Sequence, residues 1–134
     1  MTWPSPENYR FCPVCAGPLA ERLLKPGEPK RLVCTRCGFI FYIDPKLAVL
    51  SVVPYQGGVV LVRRAIEPGY GLWVAPGGFV DVGEKVEEAV VRETQEESGL
   101  LVVFGPDEIP WGEIAFRSTK EALQEYLNMP GELK

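Results

Sequence analysis

The chain contains no histidine among its 134 residues. Imidazole is therefore unavailable as catalytic base, proton shuttle or zinc ligand. Acid–base chemistry falls to Asp, Glu, Lys, Tyr or Cys. No apolar run approaches the roughly 20 residues that a membrane-spanning helix needs, so no membrane partner is expected. The opening Met1-Thr-Trp-Pro-Ser-Pro-Glu7 has neither a basic start nor an apolar stretch. That excludes a signal peptide and makes the cytoplasm the expected compartment. Internal repeats and low-complexity tracts are absent. An apolar fraction of 46% excludes a disordered chain.

Charge is unevenly spread. Residues 1–46 carry seven basic and four acidic side chains, whereas residues 47–134 carry seven basic and fourteen acidic. The asymmetry predicts two units with different tasks. The acidic part argues against broad nucleic-acid binding and suits a site for divalent cations.

All four cysteines fall within residues 12–37, as Cys12-Pro-Val-Cys15 and Cys34-Thr-Arg-Cys37, with eighteen residues between the pairs. This is a C-x2-C…C-x2-C zinc spacing, in which each short pair turns two thiolates toward one ion. Ala16-Gly17 and Gly38 come after the pairs and could aim backbone N–H groups at sulfur. Four thiolates close a tetrahedral shell, so the zinc would be structural. Two disulfides or a redox-active C-x-x-C are the alternatives; the absence of an export signal and the Pro- and Gly-rich surroundings weigh against them. A ribbon this small needs the metal to fold.

Apolar Phe39–Ile43 is expected to pack the ribbon against the second unit, and Asp44-Pro45-Lys46 to form the boundary. Leu47–Val53 reads as a strand, Pro54–Gly58 as a hairpin connection and Val59–Val62 as a second strand ending at Arg63-Arg64. Glu67–Gly71 is a loop. Leu72–Ala75 is a short strand stopped by Pro76-Gly77-Gly78. Trp73 is assigned to the core in preference to a base-stacking platform.

Glu84–Ser98 forms a helix pattern with Gly99 as its stop. Val86, Ala89 and Val90 make an apolar stripe that Glu93 and Glu97 extend, with Glu96 one turn from Glu93. Three carboxylates at a helix C-terminus oppose the macrodipole and repel one another, unless a hard cation such as Mg²⁺ or Mn²⁺ sits among them. Arg92 stands four residues from both Glu88 and Glu96 and could pair with either. A solvated, charge-laced helix face is the plainer alternative.

The spacing tips the balance. Gly78, five residues, Glu84, seven residues, then Arg92-Glu93-Thr94-Gln95-Glu96-Glu97-Ser98-Gly99-Leu100 resembles the Nudix box, departing only where Thr94 replaces an aliphatic residue. Together with the cysteine ribbon, Asp44–Lys46, Arg63–Ala65, Trp73–Phe79 and Ile114–Phe116, it resembles the zinc-ribbon-bearing branch of the Nudix hydrolases, with NADH and ADP-ribose pyrophosphatases. The resemblance implies an α+β protein: a zinc ribbon over 1–43, then a Nudix α/β/α sandwich with a mixed sheet over 44–134. It implies metal-dependent cleavage of a nucleoside diphosphate linked to another moiety, such as ADP-ribose or NADH. Glu93, Glu96 and Glu97 would hold Mg²⁺ or Mn²⁺, with the Gly78 carbonyl as a further ligand. Glu96 or Glu97 would be the base. Arg92 and Glu84 would hold the loop–helix–loop, with Gly99 shaping it. Arg63 and Arg64 are candidates for phosphate contact, although strand-ending arginines are also simply exposed.

After Leu100–Phe104 the chain reaches Ser118-Thr-Lys-Glu121, a capping box expected to start a helix through Leu127, with Leu123, Tyr126 and Leu127 as its apolar face. The resemblance leads one to expect roughly three more strands, ~30–45 residues, before that helix. The unit is thus incomplete after about residue 104. A deleted form, residues closed up in the sequence, or strand exchange with a partner would account for this. The first predicts a bare sheet edge and an open pocket, and a homodimer stays open. Two other readings remain: a catalytically silent Nudix-like module, and a ribbon that contacts nucleic acid or protein through its basic side chains.

Overall fold

Strands of two to six residues and two helices, each ended by turn residues, make up two units, 1–45 and 46–134. The computed structural model describes residues 4–97 and 99–131. In the first unit β1 (Leu19–Arg22), β2 (Arg31–Cys34) and β3 (Ile40–Phe41) form an antiparallel sheet in that order. Within Phe39–Ile43, Ile40 and Phe41 form β3, and the Phe41 ring meets Tyr9 edge-on at 4.9 Å.

The second unit contains β4 (Ala48–Leu50), β5 (Pro54–Tyr55), β6 (Gly58–Arg63), β7 (Trp73–Val74), β8 (Gly77–Phe79), α1 (Val86–Glu96), β9 (Leu100–Phe104) and α2 (Arg117–Asn128). Antiparallel β5–β6 is a two-residue hairpin. Gln56 and Gly57 have φ of 47° and 78°, the primed turn that matches strand twist. β6 continues antiparallel to β7 and, on its other side, to β9 from Val59↔Phe104 to Arg63↔Leu100.

Several boundaries differ from the sequence reading. Leu47–Val53 is not one strand: the strand is Ala48–Leu50, paired with β8 and continued by single backbone hydrogen bonds at Leu47 and Ser51. Pro76-Gly-Gly78 is therefore not a flexible stop but leads into a strand. A β-carbon on Gly77 would strike the Val49 carbonyl, so glycine permits the close approach. The helix covers Val86–Glu96 rather than Glu84–Ser98; Ser98 lies outside the described residues. Ser118 is inside α2, whose N-cap is Phe116. The supposed capping partner Glu121 instead accepts Arg117 Nε at 2.6 Å.

The core lies between the sheet and α2. Val59, Leu61, Trp73, Ile109, Ile114 and Leu123 are buried together, with Val102, Phe104, Tyr126 and Leu127 packed against them. Trp73 and Phe104 meet edge-on at 5.0 Å. α1 packs against β4 and β8, with Ala89 fully buried, while Val86, expected on the covered stripe, is 45% exposed.

Residues 105–114 make a short crossing. A turn closes with Glu108 N–H donating to the Gly105 carbonyl at 2.9 Å. Ile109 then enters the core, and Ile114 forms a parallel bridge to Trp73. That bridge gives the sheet its mixed character. Among the described residues no further strand comes after β9, which pairs with β6 alone. Leu100, Leu101 and Val103 on this strand are 58%, 51% and 39% exposed. No helix among the described residues is long and apolar enough to cross a membrane.

Candidate metal centres and the acidic helix

In the first unit the tight C-x2-C turns bring the four thiols together. Their Sγ atoms all lie within 4.8 Å of one another, with Cys12–Cys37 at 3.8 Å and Cys15–Cys34 at 3.5 Å. Four sulfurs each bonded to one Zn²⁺ at about 2.3 Å would stand about 3.8 Å apart, whereas a disulfide needs about 2.05 Å. All four cysteines are free thiols, so the donor set and its size fit a tetrahedral ion.

Backbone amides reinforce it. Val14 N–H donates to Cys12 Sγ, Gly17 N–H to Cys15 Sγ, and both Arg36 and Cys37 N–H to Cys34 Sγ, each at 3.4 Å. The Cys37 amide foremost, with that of Arg36, brings the Cys34 thiol down to about 6 against the opposing effect of burial. The Phe39 amide favours the Cys37 thiolate, but the neighbouring Cys15 sulfur, burial and the remaining thiols outweigh it and push Cys37 up to about 12. Gly38, expected to donate its amide to sulfur, donates instead to the Cys34 carbonyl at 3.0 Å.

In the second unit Arg92 is the hub. Its Nε donates to Glu84 Oε1 at 2.7 Å and its Nη2 to Glu84 Oε2 at 2.8 Å. Nη2 also reaches the Phe79 carbonyl at 3.0 Å, and Nη1 donates to Glu93 Oε1 at 2.8 Å and Glu96 Oε2 at 3.4 Å. Glu88, the other candidate partner for Arg92, binds Lys85 instead, 3.8 Å from its Nζ.

Glu84 sits before α1 at the end of the Asp81–Glu84 turn, where Gly83 has φ of 86°, and its Oε2 also accepts Asp81 N–H at 3.0 Å. The Arg92 hydrogen bonds, then the Asp81 amide, lower its carboxyl to about 2. Glu84 and Glu93 in turn raise the Arg92 guanidinium above its ordinary value. Asp81, 3.7 Å from Arg92, is a member of the site that sequence reasoning misses; the Asp-x-Gly-Glu turn pattern is its signal.

The three glutamates of the box occupy different surroundings. Glu93 is 22% exposed and lies against Gly78, where any β-carbon would strike its carboxylate. Ser51–Pro76 and Leu47–Val80 are hydrogen-bonded pairs of the β4–β8 ladder, and its alternation makes Val49–Gly78 another. The Gly78 carbonyl therefore serves the ladder and keeps one lone pair. Glu96 is 65% exposed under Arg92. Glu97 caps α1, is half-buried, and has no ion pair or side-chain hydrogen bond among the described residues. Among those residues only the cysteines bring three or more ligand side chains close enough for one ion. The acidic donors nevertheless suit a hard cation: carboxylates and a backbone carbonyl, all oxygen, around a cradle that a β-carbon would fill.

Gly99 packs tightly: a β-carbon there would lie 2.6 Å from Val62 Cγ1. Thr94, standing in for an aliphatic residue, does not merely pack. Its Oγ1 is 2.7 Å from the Val90 carbonyl and 2.8 Å from Ser51 Oγ. Ser51 carries no signal of its own in the sequence, although a hydroxyl at helix position 94 hints at a polar partner. Arg63 and Arg64 do not join the acidic group. Arg63 donates to the Gly71 carbonyl at 3.0 Å and stacks over Trp73; Arg64 donates to the Pro68 carbonyl at 2.7 Å and stacks over Phe116.

Comparison with known proteins places this arrangement. An ADP-ribose pyrophosphatase of Methanocaldococcus jannaschii is 40% identical over 81 residues, covering 54% of this chain and 48% of that protein. The NAD-capped RNA hydrolase NudC of Chromobacterium violaceum is 38% identical over 97 residues, 71% of this chain and 34% of that protein. The chain thus spans about half or less of the length of these relatives. The crystal structure of a NUDIX hydrolase from Nitrosomonas europaea superposes with a TM-score of 0.83 at 27% identity, covering 89% of this chain and 90% of that one. The Nudix N-terminal family matches residues 10–43, across the cysteine ribbon. The NUDIX domain family matches residues 44–126, from Asp44 through the Gly78–Leu100 box into α2, and the chain belongs to that family.

Proposed function

We propose that the protein hydrolyses the pyrophosphate bond of a nucleoside diphosphate linked to a second moiety, with ADP-ribose and NADH as the substrate type. The single observation that carries this is the Glu93 carboxylate seated on Gly78 while Arg92 joins Glu84, Glu93 and Glu96. Glu93, Glu96, Glu97 and the free lone pair of Gly78 would hold Mg²⁺ or Mn²⁺, and the four cysteines Zn²⁺. The divalent cation supplies charge neutralisation on the phosphates.

The chain's own residues do the rest. Arg92 and Glu84 fix the loop before α1 to the helix, so that Glu93 and Gly78 keep one geometry. Glu97, unpaired with any cation among the described residues, is the better-placed base than Glu96, which shares Arg92. It would take the proton of the attacking water as the new P–O bond forms and the bridging P–O bond breaks, leaving two monophosphates. Arg63 and Arg64, held against aromatic faces, each retain N–H donors for a phosphate.

The test is release of the nucleoside monophosphate from ADP-ribose or NADH with and without Mg²⁺. We expect metal-dependent release that Glu97→Gln lowers by about 10²- to 10⁴-fold while leaving Tm unchanged. Wild-type turnover in Glu97→Gln would overturn the assignment. Cation binding without hydrolysis would instead identify a silent Nudix module.

A further inference from the structure

The acidic site depends on two elements keeping their spacing: β8, which carries Gly78, and α1, which carries Glu93. Only the loop of residues 80–85 joins them, and a connection of that length does not by itself fix their spacing. Ser51 lies where they meet. Its N–H donates to the Pro76 carbonyl at 2.8 Å, two residues before Gly78. Its Oγ is 2.8 Å from Thr94 Oγ1, one residue after Glu93. Thr94 Oγ1 lies 2.7 Å from the Val90 carbonyl, the shortest contact it makes.

A hydroxyl has one proton. If Thr94 donates to Val90, the shared proton of the Ser51–Thr94 contact belongs to Ser51. The Ser51 hydroxyl is 3.4 Å from the Pro76 carbonyl, too long to compete. A directed relay results, from Ser51 O–H to Thr94 O–H to the Val90 carbonyl. It is partly buried, where such bonds are stronger than in water. An aliphatic residue at 94 would only pack and could slide along the helix axis; a hydrogen bond of 2.8 Å fixes both distance and direction.

We infer that Ser51 is a positioning residue for the cation site: through Thr94 it locks α1 to the β4–β8 pair and so holds the Glu93 carboxylate against Gly78. This rests on the hydrolase reading, because it assigns the same cation to Glu93. Ser51 touches neither the cation nor the substrate. Its effect is to remove the freedom that Glu93 would otherwise lose on binding the ion, so the effect falls on metal affinity rather than on the chemical step.

The experiment is titration of the full, zinc-loaded chain with Mn²⁺, monitored by electron paramagnetic resonance, alongside Tm and the Mg²⁺ dependence of turnover. We expect Ser51→Ala and Thr94→Val each to weaken Mn²⁺ binding by about tenfold, as for other groups that orient metal ligands. The Mg²⁺ concentration for half-maximal turnover rises in step, and kcat at saturating metal is unchanged. The double variant is no worse than either single one, since both break one relay. Thr94→Ser, which keeps the hydroxyl, retains wild-type affinity. If both variants lower Tm yet leave Mn²⁺ affinity unchanged while Glu93→Gln abolishes it, Ser51 is merely structural and the inference alone fails. If the wild type binds no Mn²⁺ that Glu93→Gln removes, the hydrolase reading fails and the inference with it.

Discussion

Arg92 grips both oxygens of Glu84, Nε on Oε1 at 2.7 Å and Nη2 on Oε2 at 2.8 Å, although seven residues and a helix start separate them. The pair joins the loop before α1 to the helix itself. A planar fork meeting a carboxylate at two points fixes orientation as well as distance. From that anchor Arg92 reaches forward to Glu93 and Glu96, so one guanidinium sets the attitude of two further carboxylates.

The pair predicts an acid-sensitive component of stability. Arg92 holds the Glu84 carboxyl at about 2, below its ordinary value of 4.5. A group depressed in the folded state stabilises fully above its unfolded value, and that stabilisation is lost as pH falls toward the folded one. Glu84→Gln should therefore lower Tm by several degrees near neutral pH. The gap to wild type should close between about pH 4.5 and about 2. Arg92→Lys, which keeps the charge but not the fork, should fall between the two. Thermal melts across that range decide it; a gap independent of pH would show that the ion pair contributes nothing.

Much of the candidate site is legible in the sequence because the chemistry dictates residue identity at fixed spacing. Gly78, Glu84, Arg92, Glu93, Glu96 and Glu97 can be named from the box, and the four cysteines from their spacing. The parts that escape depend on contacts distant in sequence. Ser51 is an ordinary serine until Thr94 is folded against it. Gly77 and Gly78 read as a stop because the strand they join, Ala48–Leu50, lies almost thirty residues earlier. Ser118 and Glu121 have the spacing of a cap, but Arg117 takes the glutamate and Thr119 turns inward to accept Ala75 N–H at 3.5 Å. Ile109, in a proline-flanked loop, is buried only because the crossing from β9 to the far side of β7 passes over the core.

A side chain at Gly78 should displace the Glu93 carboxylate from its seat. A β-carbon there strikes the Glu93 carboxylate. Because that carboxylate is the far end of a flexible side chain, Gly78→Ala should cost little stability and act mainly by displacing Glu93, weakening Mn²⁺ binding. Unchanged Mn²⁺ affinity, or a large loss of stability in denaturant melts, would place the strain elsewhere.

The outer edge of β9 predicts self-association. Leu100-Leu-Val-Val-Phe104 carries no charge and no proline, and among the described residues only β6 pairs with it. Uncharged edge strands recruit further strands unless a lysine or a bulge blocks them. We expect light scattering to show association that rises with protein concentration, in the form of a dimer joined at this edge. Leu101→Lys and Val103→Lys should suppress it without lowering Tm, since both side chains are exposed. A monomer at high concentration would contradict this.

The first unit should unfold without its metal, because its three strands comprise ten residues and cannot bury a sufficient core. Elemental analysis should give one zinc per chain. Its removal by a strong chelator should abolish the signal of residues 10–43 in amide-exchange experiments while α1 and α2 keep theirs. Cys34→Ser should do the same, as the thiolate receiving two amides is lost. Gly17→Ala should also weaken zinc retention, because its β-carbon would sit 2.7 Å from Arg36 Cβ, 3.0 Å from Cys34 Sγ and 3.2 Å from Cys15 Sγ. Amide protection of the ribbon that survives chelation would mean that the thiols pack stably as they stand, and that the ion only decorates a fold already made.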